Sequence, residues 1–555
     1  MDTNKTSTRI NAHAWLDADP DLDTRNELRA LMDEPDALAE RFSGRLSFGT
    51  AGLRGRLGAG PTRMNRVLVR MTAHAIGRQL QHKGVAERGV IIGYDARPKS
   101  SLFAEDTARV LAWLGVPTVL IDGVVPTPVL ARASLADGHA AAVMVTASHN
   151  PRGDNGYKVY WGDGAQIRPP LDTAIEQRIE EAPMLTDADL RQQPVHRFPA
   201  RVAIDRYVHA VIEPIAHADS CGPFVYTPLC GVAGPAMAAA LKHAGLPAYT
   251  PVPSQDVPDG AFPGLPFPNP EEPGVLTAAI TVADASGIDL VVAHDPDGDR
   301  LGIAYRTLSG RGGTWCQLSG DEIGALLCDH LLRHHPVVDG VVASSIVSSD
   351  LVRQIAEAHG AEHRSTLTGF KWIIRPAIDE PDLNWVFGYE EALGFAVSDG
   401  VRDKDGISAA VVLLDLVGEL RARGANLGVR LDELAQQHGL FSTAQVTIRL
   451  DDASTIGTDV VMERLREAAP TSIDGLEVTD WDDWATRSGP ETTNLITMVL
   501  GTRCRLAIRP SGTEQKIKAY LELHRDGPFE DIDAARTDET SAIENIAAAV
   551  RALLR

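Results

Sequence analysis

Apolar runs alternating with helical periods set the pattern of this chain. The run Gly89–Asp95 (GVIIGYD) reads as a buried strand. Ser100 or Ser101 then serves as the N-cap of a helix whose inward positions are 103, 107, 110, 111 and 114, with Gly115 as its stop. A second strand is expected at Thr118–Ile121. The same grammar returns at Ile288–Ala293, before a helix near 321–333, and again at Gly340–Ile346, before a helix near 350–358. Strands alternating with helices indicate α/β units with parallel sheets.

Three such units, each presenting one distinctive loop, suggest repeated domains around one cleft. The proline-rich stretch 251–273 (PVPSQDVPDGAFPGLPFPNPEEP) predicts a long loop inside the second. From residue 440 the grammar changes. Strand-like segments at 444–450, 497–508 and 516–523, with helices between them, predict a smaller α+β domain. The expected domains are 1–210, 211–335, 336–440 and 441–555.

Composition narrows the class of function. A chain of 555 residues is too long for one core, and 44% hydrophobic with 23% charged residues is ordinary for a soluble globular protein. The net charge of −22 argues against a general nucleic-acid or anionic-membrane binder. An anionic small substrate stays possible if basic residues converge locally. The first residues lack the apolar core of a signal peptide, and no run approaches a membrane span. Five scattered cysteines with no CxxC pair argue against structural disulfides or a zinc site, which fits a reducing cytoplasm.

Four loops carry candidate chemistry. The apolar run Ala141–Val145 ends at Thr146-Ala-Ser148-His149-Asn-Pro151. Gly153, Asp154, Asn155 and Gly156 read as a sharp turn leading to Lys158. A hydroxyl nucleophile, an imidazole and an ammonium thus meet beyond the carboxyl end of a strand, where open α/β sheets bind ligands. The second loop, Asp295-Pro-Asp297-Gly-Asp299-Arg300, sets three carboxylates at alternate positions. Pairs about 5 Å apart repel by roughly 3 kcal/mol at an effective dielectric near 20, so a positive partner is required, Mg²⁺ first. An EF-hand is excluded because arginines stand at its sixth and twelfth positions, Arg300 and Arg306.

The third loop, Gly388-Tyr-Glu390-Glu391-Ala-Leu-Gly394, offers paired carboxylates suited to sugar hydroxyls. The fourth, Arg509-Pro-Ser511-Gly512-Thr513, reads as a phosphate cradle. It precedes a strand in which Ile517, Ala519 and Leu521 alternate with Lys516, Lys518 and Tyr520. GTAGLRG at 49–55 and TGFK at 368–371 each add a cation. No GxSxG elbow accompanies Ser148, which disfavours a serine hydrolase.

Together, in order and spacing, TASHNP, DPDGDR, GYEEALG and RPSGTE resemble the phosphoserine, metal, sugar and phosphate loops of the α-D-phosphohexomutase superfamily, over nearly the whole chain. Val125-Pro-Thr-Pro128 is a further similar segment. The resemblance implies an α/β protein of four domains around a central cleft, three similar mixed-sheet α/β domains plus a C-terminal α+β domain. By it, Ser148 would carry the phosphoryl group, and Mg²⁺ would be held by that phosphate with Asp295, Asp297 and Asp299. Arg54, His149 and Lys158 would support phosphoryl transfer and proton movement. Glu390 and Glu391, with Arg300 and Lys404, would contact the sugar; Arg509, Ser511, Gly512, Thr513 and Lys371 would hold the substrate's other phosphate.

The implied activity is that of a cytoplasmic, monomeric or homodimeric mutase interconverting hexose 1- and 6-phosphates of glucose or mannose, with glucose 1,6-bisphosphate as activator. Ala392 stands where related sugar loops place a serine, and GYEEA is similar to a branch with phosphopentomutase or bisphosphate-synthase activity. A Mg²⁺-dependent sugar-phosphate phosphatase and a non-catalytic sugar-phosphate sensor are the readings from other classes.

Overall fold

In the computed structural model, residues 3–49, 52–191, 193–213, 215–308, 313–335, 338–449, 457–489, 492–511 and 516–555 are described. Three helices, Thr3–Ala18, Leu22–Leu31 and Pro35–Arg41, precede the first sheet. That sheet has seven strands. Its centre is parallel, with Ala141–Val145, Val90–Tyr94 and Thr118–Asp122 in adjacent register, and Asp154–Trp161 pairs antiparallel on the flank. The parallel strands are nearly continuous apolar runs because helices cover both faces. A five-stranded sheet follows, centred on Leu290–His294 between parallel Val225–Thr227 and antiparallel Leu301–Arg306. The third has four strands, with Gly340–Ser345 parallel to both Glu362–Thr366 and Asn384–Glu390. The fourth has six strands, all antiparallel, and Ile532–Leu553 is the long helix that closes the chain.

Three details differ from expectation. Neither Ser100 nor Ser101 is a helix cap: Lys99, at φ 68°, takes the cap position. The Ser100 hydroxyl instead donates to Asp95 Oδ1 at 2.6 Å. The turn after Pro151 ends before Asp154, so Asp154, Asn155 and Gly156 already belong to the strand that carries Lys158. The segment 497–508 is a hairpin, Ile496–Leu500 and Cys504–Pro510, because Gly501 at φ 60° reverses the chain.

One apolar core runs through the helices that join the units. Val129 and Leu130, Ile204 and Tyr207, Met237 and Leu241, Leu326 and Leu327, and Leu413 and Leu416 all belong to it. The first sheet and the last each add a core of their own. Such continuity fixes the relative position of the loops described below. Among the described residues, no helix is long and apolar enough to cross a membrane.

The first unit also buries an ionic knot. Asp106 accepts from Arg66 Nε at 2.6 Å and from Arg70 Nη2 at 2.7 Å, and Arg70 and Asp106 have no exposed surface. Without Asp106 the buried Arg70 keeps only the exposed Asp187 as an ionic partner, 2.5 Å from its Nη2, and loss of the shared buried carboxylate costs about 3 kcal/mol. Asp106→Ala should therefore lower the urea stability by about that amount, and a loss below about 1 kcal/mol would contradict the arrangement.

Candidate active site

The strand Ala141–Val145 delivers Ser148 to a buried corner in the left-handed region, φ 53°. Its amide donates to Thr146 Oγ1 at 2.8 Å, and its carbonyl accepts from Arg97 Nη2 at 2.6 Å. Arg97 also donates to the carbonyls of Asn150 at 2.5 Å and Pro151 at 2.8 Å. One buried guanidinium thus shapes the whole loop, while Phe262 of the proline-rich segment lies against it, 4.8 Å from ring centre to Cζ. The Ser148 hydroxyl donates to Asp295 Oδ2 at 2.9 Å and lies 3.1 Å from His149 Nδ1. Burial, then Arg300 and Arg54, push the His149 imidazole well below its ordinary value, so it is neutral near pH 7.

The acidic loop follows Leu290–His294 and turns at Gly298, φ 72°. Carboxylate oxygens of Asp295, Asp297 and Asp299 all lie within 4.8 Å of one another. Lys158, on Asp154–Trp161 of the first sheet, donates to Asp297 Oδ2 at 2.6 Å and Asp299 Oδ2 at 2.5 Å. The positive partner demanded by the sequence is thus supplied in part from within the chain. Thr127 of the VPTP segment donates to Asp297 Oδ2 at 2.6 Å. Burial and its two acidic neighbours raise the Asp295 carboxyl well above the carboxylate range. Oδ1 of Asp297 and Oδ1 of Asp299 are buried without a hydrogen-bond partner. Two orphaned oxygens beside a third carboxylate and a serine hydroxyl suit a hard dication with oxygen ligands, so the residues fit Mg²⁺.

Arg300 ties this loop to the third. Its Nη1 donates to the Ala392 carbonyl, and Leu301 N donates to Leu393 O at 3.1 Å. Lys404 Nζ stands 3.5 Å from Asp299 Oδ2 and 3.3 Å from Asp403 Oδ1. Glu391 Oε2 accepts from Ser345 Oγ at 3.1 Å and Ser348 Oγ at 3.4 Å. The Tyr389 hydroxyl, which distinguishes this loop, points away to Asp321 Oδ1 and the Ser349 carbonyl, each at 3.1 Å. From the fourth unit, Arg505 donates to Ile346 O at 2.9 Å, and Arg509 Nη1 donates to Thr368 Oγ1.

These elements enclose a cavity of about 730 Å³. Arg54, Ser148, His149, Asp299, Arg300, Glu390, Glu391, Lys404, Arg509 and Ser511 line it. Lys158, Asp295 and Asp297 lie beneath its floor, reached through Ser148 and Asp299. Lys371 is buried and not among the lining residues; burial lowers its pKa. Gly512 and Thr513 lie outside the described residues. Arg449, Lys516 and Lys518 join the wall, so cations converge here despite the chain's net charge of −22. The proline-rich segment supplies Phe267, Asn269, Glu271 and Glu272.

Asp321 gives a pH signature next to this site. Burial above all, with Glu522 and Glu391 adding, pushes its carboxyl up to about 7 against the hydrogen bond from Ser349 N at 2.8 Å. A raised carboxyl pKa favours the protonated fold: its contribution is present below pH 3.8 and lost as pH rises through about 7. Asp321→Asn should therefore gain on the wild type in urea stability between about pH 5 and about pH 8; a constant difference would refute the shift.

Comparison with known proteins agrees with this fold. Residues 45–185, 205–310 and 319–438 match α/β/α domains I, II and III of phosphoglucomutase/phosphomannomutase. A "probable phosphomannomutase" of Haemophilus influenzae is 38% identical over 87% of this chain and 97% of its own. A "probable phosphoribomutase" of Schizosaccharomyces pombe is 33% identical over 96% of each chain. The solved structure of a phosphoglucomutase/phosphomannomutase family protein from Burkholderia thailandensis superposes with a TM-score of 0.65, at 20% identity, over 91% of this chain and 96% of that one. With relatives this similar across their whole length, the chain belongs to the phosphoglucomutase/phosphomannomutase family of intramolecular phosphotransferases.

Proposed function

We propose that the chain interconverts hexose 1-phosphates and hexose 6-phosphates, of glucose, mannose or both, through a phosphorylated Ser148 and a sugar 1,6-bisphosphate. One observation carries this reading: a buried serine hydroxyl on a carboxylate cluster faces the same cavity as Arg509 and Ser511. That geometry suits a substrate with a reacting oxygen at one end and a phosphate at the other.

In the first half-reaction the bond from phosphorus to Ser148 Oγ breaks as one forms to the sugar oxygen. The neutral His149 ring takes the proton leaving that hydroxyl. Arg54 and Arg300 face the transferring group, and Arg509 and Ser511 hold the phosphate that does not react. Glu390 and Glu391 accept from ring hydroxyls, Glu391 held in place by Ser345 and Ser348. Asp295, Asp297, Asp299 and the phosphorylated Ser148 would hold Mg²⁺, which would supply positive charge against the phosphoryl oxygens. The bisphosphate then turns end for end and returns its other phosphate to Ser148. An enclosed cavity limits loss of the phosphoryl group to water. Glucose 1,6-bisphosphate would charge Ser148 at the outset, and the cytoplasm is the compartment we assign.

A pentose substrate is the second reading, favoured by the GYEEA loop and by the 33% identity to the "probable phosphoribomutase" of Schizosaccharomyces pombe. Phosphorus NMR decides between them. Glucose 1-phosphate, mannose 1-phosphate and ribose 1-phosphate are each followed with Mg²⁺ and a trace of glucose 1,6-bisphosphate. Fastest conversion of a hexose without free phosphate is expected. Ribose 1-phosphate turning over faster would favour the pentose reading, and phosphate release alone would make the protein a phosphatase.

A further inference from the structure

A second cluster of metal-ligating side chains lies far from the cleft. The helices Gly320–His334 and Gly406–Ala422 pack side by side, the first held at its start by a Ser319/Glu322 capping box. His330 and His334, four residues apart, share one face of the first; Asp415 and Glu419, also four apart, share one face of the second. Glu419 is 15 residues along the chain from Lys404, about 20 Å at the helical rise. The cluster is therefore separate from the aspartate loop.

We propose that His330 Nδ1, His334 Nε2 and Glu419 Oε2 form a binding site for a first-row transition-metal dication, zinc above all, that clamps these two helices. Glu419 Oε2 lies 3.3 Å from His330 Nδ1 and 2.9 Å from His334 Nε2, and the three ligand atoms are all within 4.8 Å of one another. Tetrahedral zinc with bonds of about 2.0–2.1 Å sets its ligand atoms about 3.3 Å apart, so small side-chain adjustments complete the site.

His330 gives the independent sign. It is 3% exposed, and its Nδ1 has no hydrogen-bond partner. Its Nε2 lies 3.0 Å from Asp415 Oδ2, so in the neutral ring the proton sits there and the Nδ1 lone pair faces the Glu419 carboxylate. A metal cation between that lone pair and the carboxylate would be ligated by both. A carboxylate fixing the far nitrogen of a histidine is also how metal-bound imidazoles are oriented. Asp415 is itself held by His217, whose backbone N donates at 2.8 Å and whose Nδ1 lies at 3.1 Å. Arg333 supplies counter-charge to Glu419, chiefly at Oε1, 2.8 Å, while its Nε stays with Asp329 at 3.0 Å. Its weaker contacts, 3.3 Å to Glu419 Oε2 and 3.4 Å to His334 Nε2, are the ones a metal would displace. The cysteine spacing that argued against zinc has no bearing on a histidine-carboxylate site.

The test is equilibrium dialysis of the full chain against zinc, with Mg²⁺ in excess to occupy the aspartate loop. One zinc per chain should be retained, and cobalt in its stead should give the intense visible bands of tetrahedral ligation. His334→Gln, at the accessible helix end, and Glu419→Gln should each weaken uptake by about 100-fold or more, and Asp415→Asn by about 10–100-fold. Zinc should raise the melting temperature of the wild type but not of His334→Gln, with mutase turnover unchanged in both. Absence of zinc uptake in excess Mg²⁺, or uptake unaltered in His334→Gln and Glu419→Gln, would overturn the site and leave an arginine-histidine-carboxylate network.

Discussion

Ser148→Ala should lower conversion of glucose 1-phosphate by at least about 10⁴-fold, roughly 5.5 kcal/mol of barrier at 1.36 kcal/mol per decade. The size follows from the role: without Oγ there is no acceptor, and the bisphosphate route closes altogether. The loop should keep its shape, because Thr146 and Arg97 hold the main chain of residue 148 rather than its side chain. Only the hydroxyl contacts with Asp295 and His149 are lost. Turnover is read by a coupled assay with saturating glucose 1,6-bisphosphate, and the phosphoprotein by intact mass. The variant should bind sugar phosphate yet never gain the mass of a phosphoryl group. Residual activity above about 1% of wild type would mean another acceptor, and the mechanism would fall.

The chemistry of this site was legible because it is local in sequence. Ser148-His149, the three alternate aspartates, Glu390-Glu391 and Arg509 with Ser511 each sit within a few residues, at or just beyond the end of an apolar run. The residues that hold those loops left no local trace. Arg97 acts on carbonyls some fifty residues away, and Thr127 on Asp297 across 170 positions. Ser345 and Ser348 look like a strand end until Glu391 is placed against them. Asp403, which accepts from Tyr160 and Gln166 at 2.6 Å each, belongs to the same class. The alternation at 516–521 was a readable signal of a different kind. Ile517 and Ala519 are fully buried while Lys518 and Tyr520 face the cavity, so period two separates the two faces of the strand, and the fold alone sets the outer one against the cleft. The hairpin at Gly501 was missed because apolar residues continue on both sides of a three-residue turn. The helix start was misplaced because a serine that would serve as a cap is used by Asp95 instead.

Lys158→Met tests the electrostatics of the floor, and its effect on stability should be as large as its effect on rate. Methionine keeps the length and the apolar stem but removes the ammonium that neutralises Asp297 and Asp299. All three groups are buried, so water cannot take over that neutralisation. Breaking a buried ionic group by deleting one partner costs about 3–5 kcal/mol. In a chelator the variant should lose about that much urea stability. A dication at the same carboxylates replaces the missing charge, so added Mg²⁺ should restore stability far more in the variant than in the wild type. Catalysis should not return with it: turnover should stay at least about 100-fold down, because the ammonium also fixes the Oδ2 atoms of Asp297 and Asp299, which sets how these carboxylates would hold the dication beside the phosphoryl group. Equal stability of the two proteins in chelator would show that Lys158 does not balance the aspartates. Full recovery of rate with Mg²⁺ would show instead that it serves the fold alone.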